Sequence, residues 1–185
     1  MSPSDRTPPM DPDTDEASAE QLEAAREQGR AYGRALELMT KRIPHDGGEQ
    51  RAGEYLVGYA LEEAEGMYEW RGGSLQWRAP GQENLHVEVS VRDAGDGRFV
   101  PGVRVLATLV DADGTELGPH EQPLLWHPML YHYGRNWTVP HGGDYTLRVR
   151  VEPPRFSRHD DINGCRFTEP AEVEFAPVHV SPGQD

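Results

Sequence analysis

The chain has 185 residues and a formal net charge of −14, from 32 acidic against 18 basic side chains. That balance argues against a nucleic-acid partner, because phosphate binding needs a basic surface. It suits solubility first and capture of cations second. A single cysteine, Cys165, excludes an internal disulfide and a cysteine-based zinc site, and no stretch approaches the roughly 20 apolar residues that span a bilayer.

Residues 1–16 are Pro, Ser, Asp and Thr with almost no large apolar side chains. Such a segment buries too little surface to offset its ordering entropy, which predicts a disordered leader. The first twenty residues carry neither a basic n-region nor an apolar h-region. As written, the sequence predicts no secretory signal and a chain that stays in the cytoplasm where it is made.

Over residues 17–44 the pattern changes to that of a helix. Leu22, Ala25, Gly29, Tyr32, Leu36, Met39 and Ile43 recur at steps of three and four, forming one stripe. Pro44 stops it. Gly29 and Gly33 each weaken a helix by about 1 kcal/mol relative to Ala. A helix this marginal should dock on the domain or on a partner chain. A short coiled coil would give the same spacing, but heptads containing Ala and Gly make a poor zipper. His45 to Gln50 reads as a linker.

From Tyr55 onward the period is two. Tyr55, Val57, Tyr59 and Leu61 alternate with other residues, and so do Leu85, Val87, Val89 and Val91. Strands are also expected at 74–78, 103–110, 136–139, 145–151 and 172–180, each bounded by Gly, Pro, Asn or Asp. About seven short strands with turn signals predict an all-β, immunoglobulin-like antiparallel sandwich over residues 53–181, with the helix added at its N-terminus.

The densest collection of ligand atoms runs from Trp126 to Trp137. It holds His127, Met129 and His132 among two tryptophans and two tyrosines. If residues 129–132 form a turn or loop, the Met129 thioether and the His132 imidazole reach a common point. His86 and Glu88, at i and i+2 of one strand, project from the same side about 7 Å apart. His159 lies in a later loop beside Asp160 and Asp161, which either orient the imidazole or solvate the loop. Each of these signals is weak alone. A polar outer face, a packing methionine and a surface histidine are the commoner readings. Thioether selects soft copper, above all Cu(I), while His and Glu also accept Cu(II), iron and manganese.

From Gly53 to about Val180 the chain resembles the periplasmic iron-transport family, metal-binding proteins of roughly nineteen kilodaltons that accompany bacterial iron permeases. The resemblance is carried by Gly53-Glu54-Tyr55-Leu56-Val57-Gly58, Leu85-His86-Val87-Glu88 and Gly97-Arg98-Phe99-Val100-Pro101. It continues in Pro128-Met129, His132-Tyr133-Gly134-Arg135-Asn136, Val151-Glu152-Pro153-Pro154 and Arg158-His159-Asp160. It implies a β-sandwich, usually a homodimer, that binds copper or iron, with manganese or zinc as substitutes. It also implies a periplasmic or cell-envelope setting and a membrane iron permease as partner. By position it implies His86, Glu88, Met129, His132 and His159 as metal ligands. The loop between Met129 and His132 is shorter than in other members, which makes His127 a substitute ligand. No nucleophile elbow, phosphate loop or nucleophile–base pair is present. The expected function is therefore non-catalytic handling of copper or iron, with ferrous oxidation at bound copper as the one enzymatic chemistry the ligands would permit. The alternative is an interaction module that uses the N-terminal helix to bind a partner or close a dimer.

Overall fold

The computed structural model describes residues 13, 14, 16–40 and 46–184. Most of the expected leader, together with Ile43, Pro44 and His45, lies outside the described residues. Among the described residues one helix, α1 (Ala19–Thr40), precedes eleven strands. These are β1 (Asp46–Ala52), β2 (Tyr55–Glu62), β3 (Met67–Arg71), β4 (Ser74–Arg78), β5 (Leu85–Asp93) and β6 (Arg104–Val110). They continue with β7 (Glu116–Gln122), β8 (Leu124–Trp126), β9 (Tyr131–Trp137), β10 (Gly143–Glu152) and β11 (Ala171–Val180).

The strands form an antiparallel β-sandwich. One sheet has the order β1-β2-β5-β9-β8 and the other β11-β10-β6-β7, while β3 and β4 pair as a separate hairpin. Strand alternation places the core. Leu85, Val87, Val89 and Val91 of β5 are fully buried, as are Val105, Ala107 and Leu109 of β6 and Leu147 and Val151 of β10. Each buried aliphatic side chain of this size contributes about 1.5–3 kcal/mol.

Two sequence expectations are corrected. Residues 46–50 are not a linker but the body of β1, which pairs with β2 from Asp46↔Leu61 to Ala52↔Tyr55. Residues 131–137 are strand throughout, and the turn of the β8–β9 hairpin is confined to residues 127–130.

α1 begins at a reciprocal cap. Ser18 N–H donates to Gln21 Oε1 at 2.8 Å, and Gln21 N–H donates to Ser18 Oγ at 3.3 Å. The helix is 22 residues long, about 33 Å at 1.5 Å per residue. Its stripe packs on its own chain, over the outer face of the five-stranded sheet. Leu22, Ala25 and Met39 are buried. The Tyr32 ring stacks on Phe99 at 5.4 Å and its hydroxyl donates to Tyr131 O at 2.5 Å. Gly29 is where the helix comes closest to the domain, since a Cβ there would stand 1.8 Å from Asp96 O. The residue that weakens the isolated helix is the one that lets it dock.

At the far end of β5 a long loop is tied down. Arg166 donates to both Asp93 carboxylate oxygens, at 2.8 and 2.5 Å, and to Glu54 at 3.3 Å. Burial alone would lower the Arg166 pKa, but Asp93 and Glu54 outweigh it and the shift is upward. The Thr14 hydroxyl donates to Asp160 in the same loop.

Candidate metal centre

β5 is the central strand of its sheet, with β2 on one side and β9 on the other. Its odd-numbered residues fill the core, so His86, Glu88 and Ser90 face outward. They are nonetheless buried, at 0%, 6% and 6% exposure. Two titratable side chains on the outer face of a central strand are costly to bury unless something compensates them.

β9 supplies the compensation. In register His86 lies opposite Asn136 and Glu88 opposite Gly134. Period two then brings His132, Gly134 and Asn136 to the same face. The three ligand atoms of His86, Glu88 and His132 lie within 4.8 Å of one another. His132 Nε2 is 3.1 Å from Glu88 Oε1, and His86 Nε2 is 3.8 Å from the same oxygen. Neither contact has hydrogen-bond geometry. His86 Nε2 and both ring nitrogens of His132 are buried without a hydrogen-bond partner. Ligands held about 2.1 Å from a tetrahedral ion stand about 3.4 Å apart, so the cluster has the dimensions of a metal site.

The surroundings fix the His86 ring. His86 Nδ1 is 2.8 Å from Asn136 Oδ1, while Asn136 Nδ2 donates to Glu65 O at 2.7 Å. The carbonyl of Glu65 can only accept, so the Asn136 oxygen is the atom turned to the imidazole. His86 Nδ1 therefore carries the proton, and its Nε2 offers a lone pair to the cluster. Gly134 leaves the necessary space. A Cβ at this position would meet His86 Nε2 at 3.0 Å and His132 Cδ2 at 3.3 Å. The Glu65 carboxylate approaches from outside, 3.7 Å from His86 Nε2.

The other expected ligands sit on loops rather than on β5 or β9. Met129, in the β8–β9 turn, is 41% exposed. His127, at the start of that turn, is half-buried, with its ring 6.4 Å from that of His132 and its Nδ1 accepting from Met129 N–H. His159 is exposed in the loop tied to Asp93 by Arg166. Asp93 is seven residues from His86 along β5, about 23 Å at 3.3 Å per residue. Among the described residues, the cluster of His, Cys, Asp and Glu suited to a metal is His86, Glu88 and His132. Two imidazoles and one carboxylate with further positions open suit iron and copper, and imidazole also suits zinc.

Asn136 and Gly134 were missed as site residues, although both belong to the HYGRN run. Counting by two from His132 would have placed them on its face. Glu65 has no sequence signal of this kind.

A family model described as Fe2+ transport protein matches residues 73–180, more than half of the chain. The chain belongs to this family. Solved structures share the fold. FetP from uropathogenic Escherichia coli strain F11 is 21% identical with a TM-score of 0.61, covering 74% of this chain and 95% of its own. Copper-reconstituted P19 from Campylobacter jejuni is 18% identical with a TM-score of 0.62, covering 77% and 98%. A copper-bound variant of FetP is 23% identical with a TM-score of 0.61 and covers 75% and 97%. At these identities the likeness shows the shared β-sandwich. A search of curated proteins gave no match. Among the described residues no helix is long and apolar enough to cross a membrane.

Proposed function

We propose that this protein is a non-catalytic copper- or iron-binding protein of iron uptake, with His86, Glu88 and His132 as the primary ligands. The observation that carries the reading is the convergence of three buried ligand atoms within 4.8 Å, with the imidazole nitrogens left without hydrogen-bond partners. A bound cation would supply the charge and the partners that this buried group lacks. The copper-bound FetP and the copper-reconstituted P19 support copper as the ion to test first, and the family's description supports ferrous iron.

The functional unit in this reading is a homodimer beside a membrane iron permease, in the cell envelope. The β3–β4 hairpin supports the dimer. Tyr68 pairs with Trp77 and Trp70 with Leu75, so all four share one face. They are 54–72% exposed. A contiguous apolar face of this kind marks an interaction site. His159 and Met129 are further candidate ligands in this reading.

The test is metal analysis of protein purified without chelators. Copper or iron near one per chain is expected, and the His86→Ala/His132→Ala double variant should lose it. Stoichiometric loading in that variant would sink the ligand assignment. Light scattering on the same samples reads the oligomeric state. Oxygen consumption with ferrous iron should stay at the level of free copper, and turnover above it would make the protein an oxidase.

A further inference from the structure

The connection from β2 to β3 carries a second carboxylate to the buried cluster. Glu65 Oε1 is 3.7 Å from His86 Nε2, and Glu88 Oε1 is 3.8 Å from the same nitrogen. With its proton on Nδ1, His86 turns a lone pair toward both oxygens. Three acceptors then face one another with no donor among them, and Nε2 is buried without a hydrogen-bond partner. Such an arrangement suits a cation.

The backbone fixes where Glu65 stands. Ala64 N–H donates to Gly183 O at 3.0 Å. Glu65 N–H donates to Asn136 Oδ1 at 3.4 Å, and Asn136 Nδ2 donates to Glu65 O at 2.7 Å. On the other side the Trp77 ring lies against Gly66, where a Cβ would meet it at 2.2 Å. The Glu65 side chain is 45% exposed, whereas those of His86, Glu88 and His132 are buried. It therefore stands beside the cluster of three, on the side that meets water. Glu65 lies outside the residues matched by the Fe2+ transport family model, so membership in the family assigns it no role.

We infer that Glu65 is a specificity-determining residue of this site, whose carboxylate favours a divalent ion over Cu(I). This rests on the metal-binding reading above and deepens it. Two neutral imidazoles and the Glu88 carboxylate balance the charge of Cu(I). Around a divalent ion the same three leave one positive charge buried and uncompensated, which is costly. Glu65 supplies the missing negative charge. Its partial exposure screens the interaction, so the effect belongs at the lower end of the 10–100-fold range for groups just outside a ligand set.

The experiment measures Cu(I) affinity anaerobically in competition with bicinchoninate and Cu(II) affinity in competition with a chromophoric chelator. Glu65→Gln keeps the shape of the side chain and leaves the backbone hydrogen bonds with Asn136 in place. It should weaken Cu(II) by about tenfold and Cu(I) by no more than about twofold. Co(II), followed by its visible spectrum, should weaken as Cu(II) does. Glu65→Asp, which keeps the charge, should recover part of the loss. Glu63→Gln removes the same net charge from an exposed residue two positions earlier, and should behave as the parent protein. Equal losses for Cu(I) and Cu(II) in Glu65→Gln would make Glu65 a structural support and overturn the inference. Unchanged affinities, or the same loss in Glu63→Gln, would also overturn it. The His86→Ala/His132→Ala variant separates the two levels. If it loses copper while Glu65→Gln changes nothing, the metal site stands and the Glu65 assignment falls. If the parent protein binds no copper in either state, both fall.

Discussion

Asn136 decides which nitrogen His86 presents. Its amide is oriented by the Glu65 carbonyl, and the orientation passes through the Asn136 oxygen to His86 Nδ1. Asn136→Ala should leave the fold intact and lower metal affinity by about 10–100-fold, the usual effect of removing a partner that orients a ligand. Competition with a chromophoric chelator measures it. Asn136→Asp, which keeps an acceptor oxygen, should recover part of the loss. The three side chains that cluster were legible in the sequence: His86-x-Glu88 shares a strand face by period two, and His132 is named by the family resemblance. Asn136 and Gly134 were not, because their work depends on the β5–β9 register, and register is a long-range property.

At the scale of elements, α1 is held by a close approach that tolerates no side chain. Gly29→Ala would drive a Cβ into Asp96 O. Overpacking of this kind costs about 1–3 kcal/mol, more than the roughly 1 kcal/mol gained in helix propensity. The variant should release α1, seen as faster amide exchange over residues 19–40 while the β5 amides stay protected. The long loop offers a second test. The Thr14 hydroxyl and then the Asn163 contacts hold the Asp160 carboxyl down to about 2. A depressed carboxylate stabilises above its unfolded value, about 3.9, and loses that contribution as pH falls through its folded value. The Thr14–Asp160 link should therefore persist at pH 4 and fail near pH 2. Thr14→Val should move the Asp160 midpoint upward, followed by carboxyl NMR shifts. The strands with alternating apolar residues were legible, β2, β5, β6, β10 and β11 among them. β1 and β7 were not. Their sequences, Asp46–Ala52 and Glu116–Gln122, have little to bury. They are edge strands recruited by the backbone ladders of β2 and β6.

At the scale of the molecule, the acidic excess and the β-sandwich were readable from composition and period, while the placement of α1 over the face that carries His86, Glu88 and His132 was not. Neither the stripe nor its caps encode which surface the helix covers. Binding of an ion to the folded state alone adds about 2.7 kcal/mol at a hundredfold excess over Kd. For a protein of this size that corresponds to a rise in melting temperature of about 5–11 °C. Copper added to the parent protein should raise the midpoint by this amount in calorimetry. The His86→Ala/His132→Ala variant should show no rise.

β5 carries core and ligands on alternate residues of one strand. The hydrophobic side of that strand is packed whether or not an ion is present, so the ligand side is assembled in advance. Metal then neither nucleates the chain nor unfolds it on leaving, unlike a small domain whose fold exists only with its ion. In the proposed reading, loading and unloading become exchange reactions of a finished container rather than refolding events. A protein built this way should keep its β5 amides protected from exchange with and without metal, since emptying the site leaves the packed side of the strand untouched.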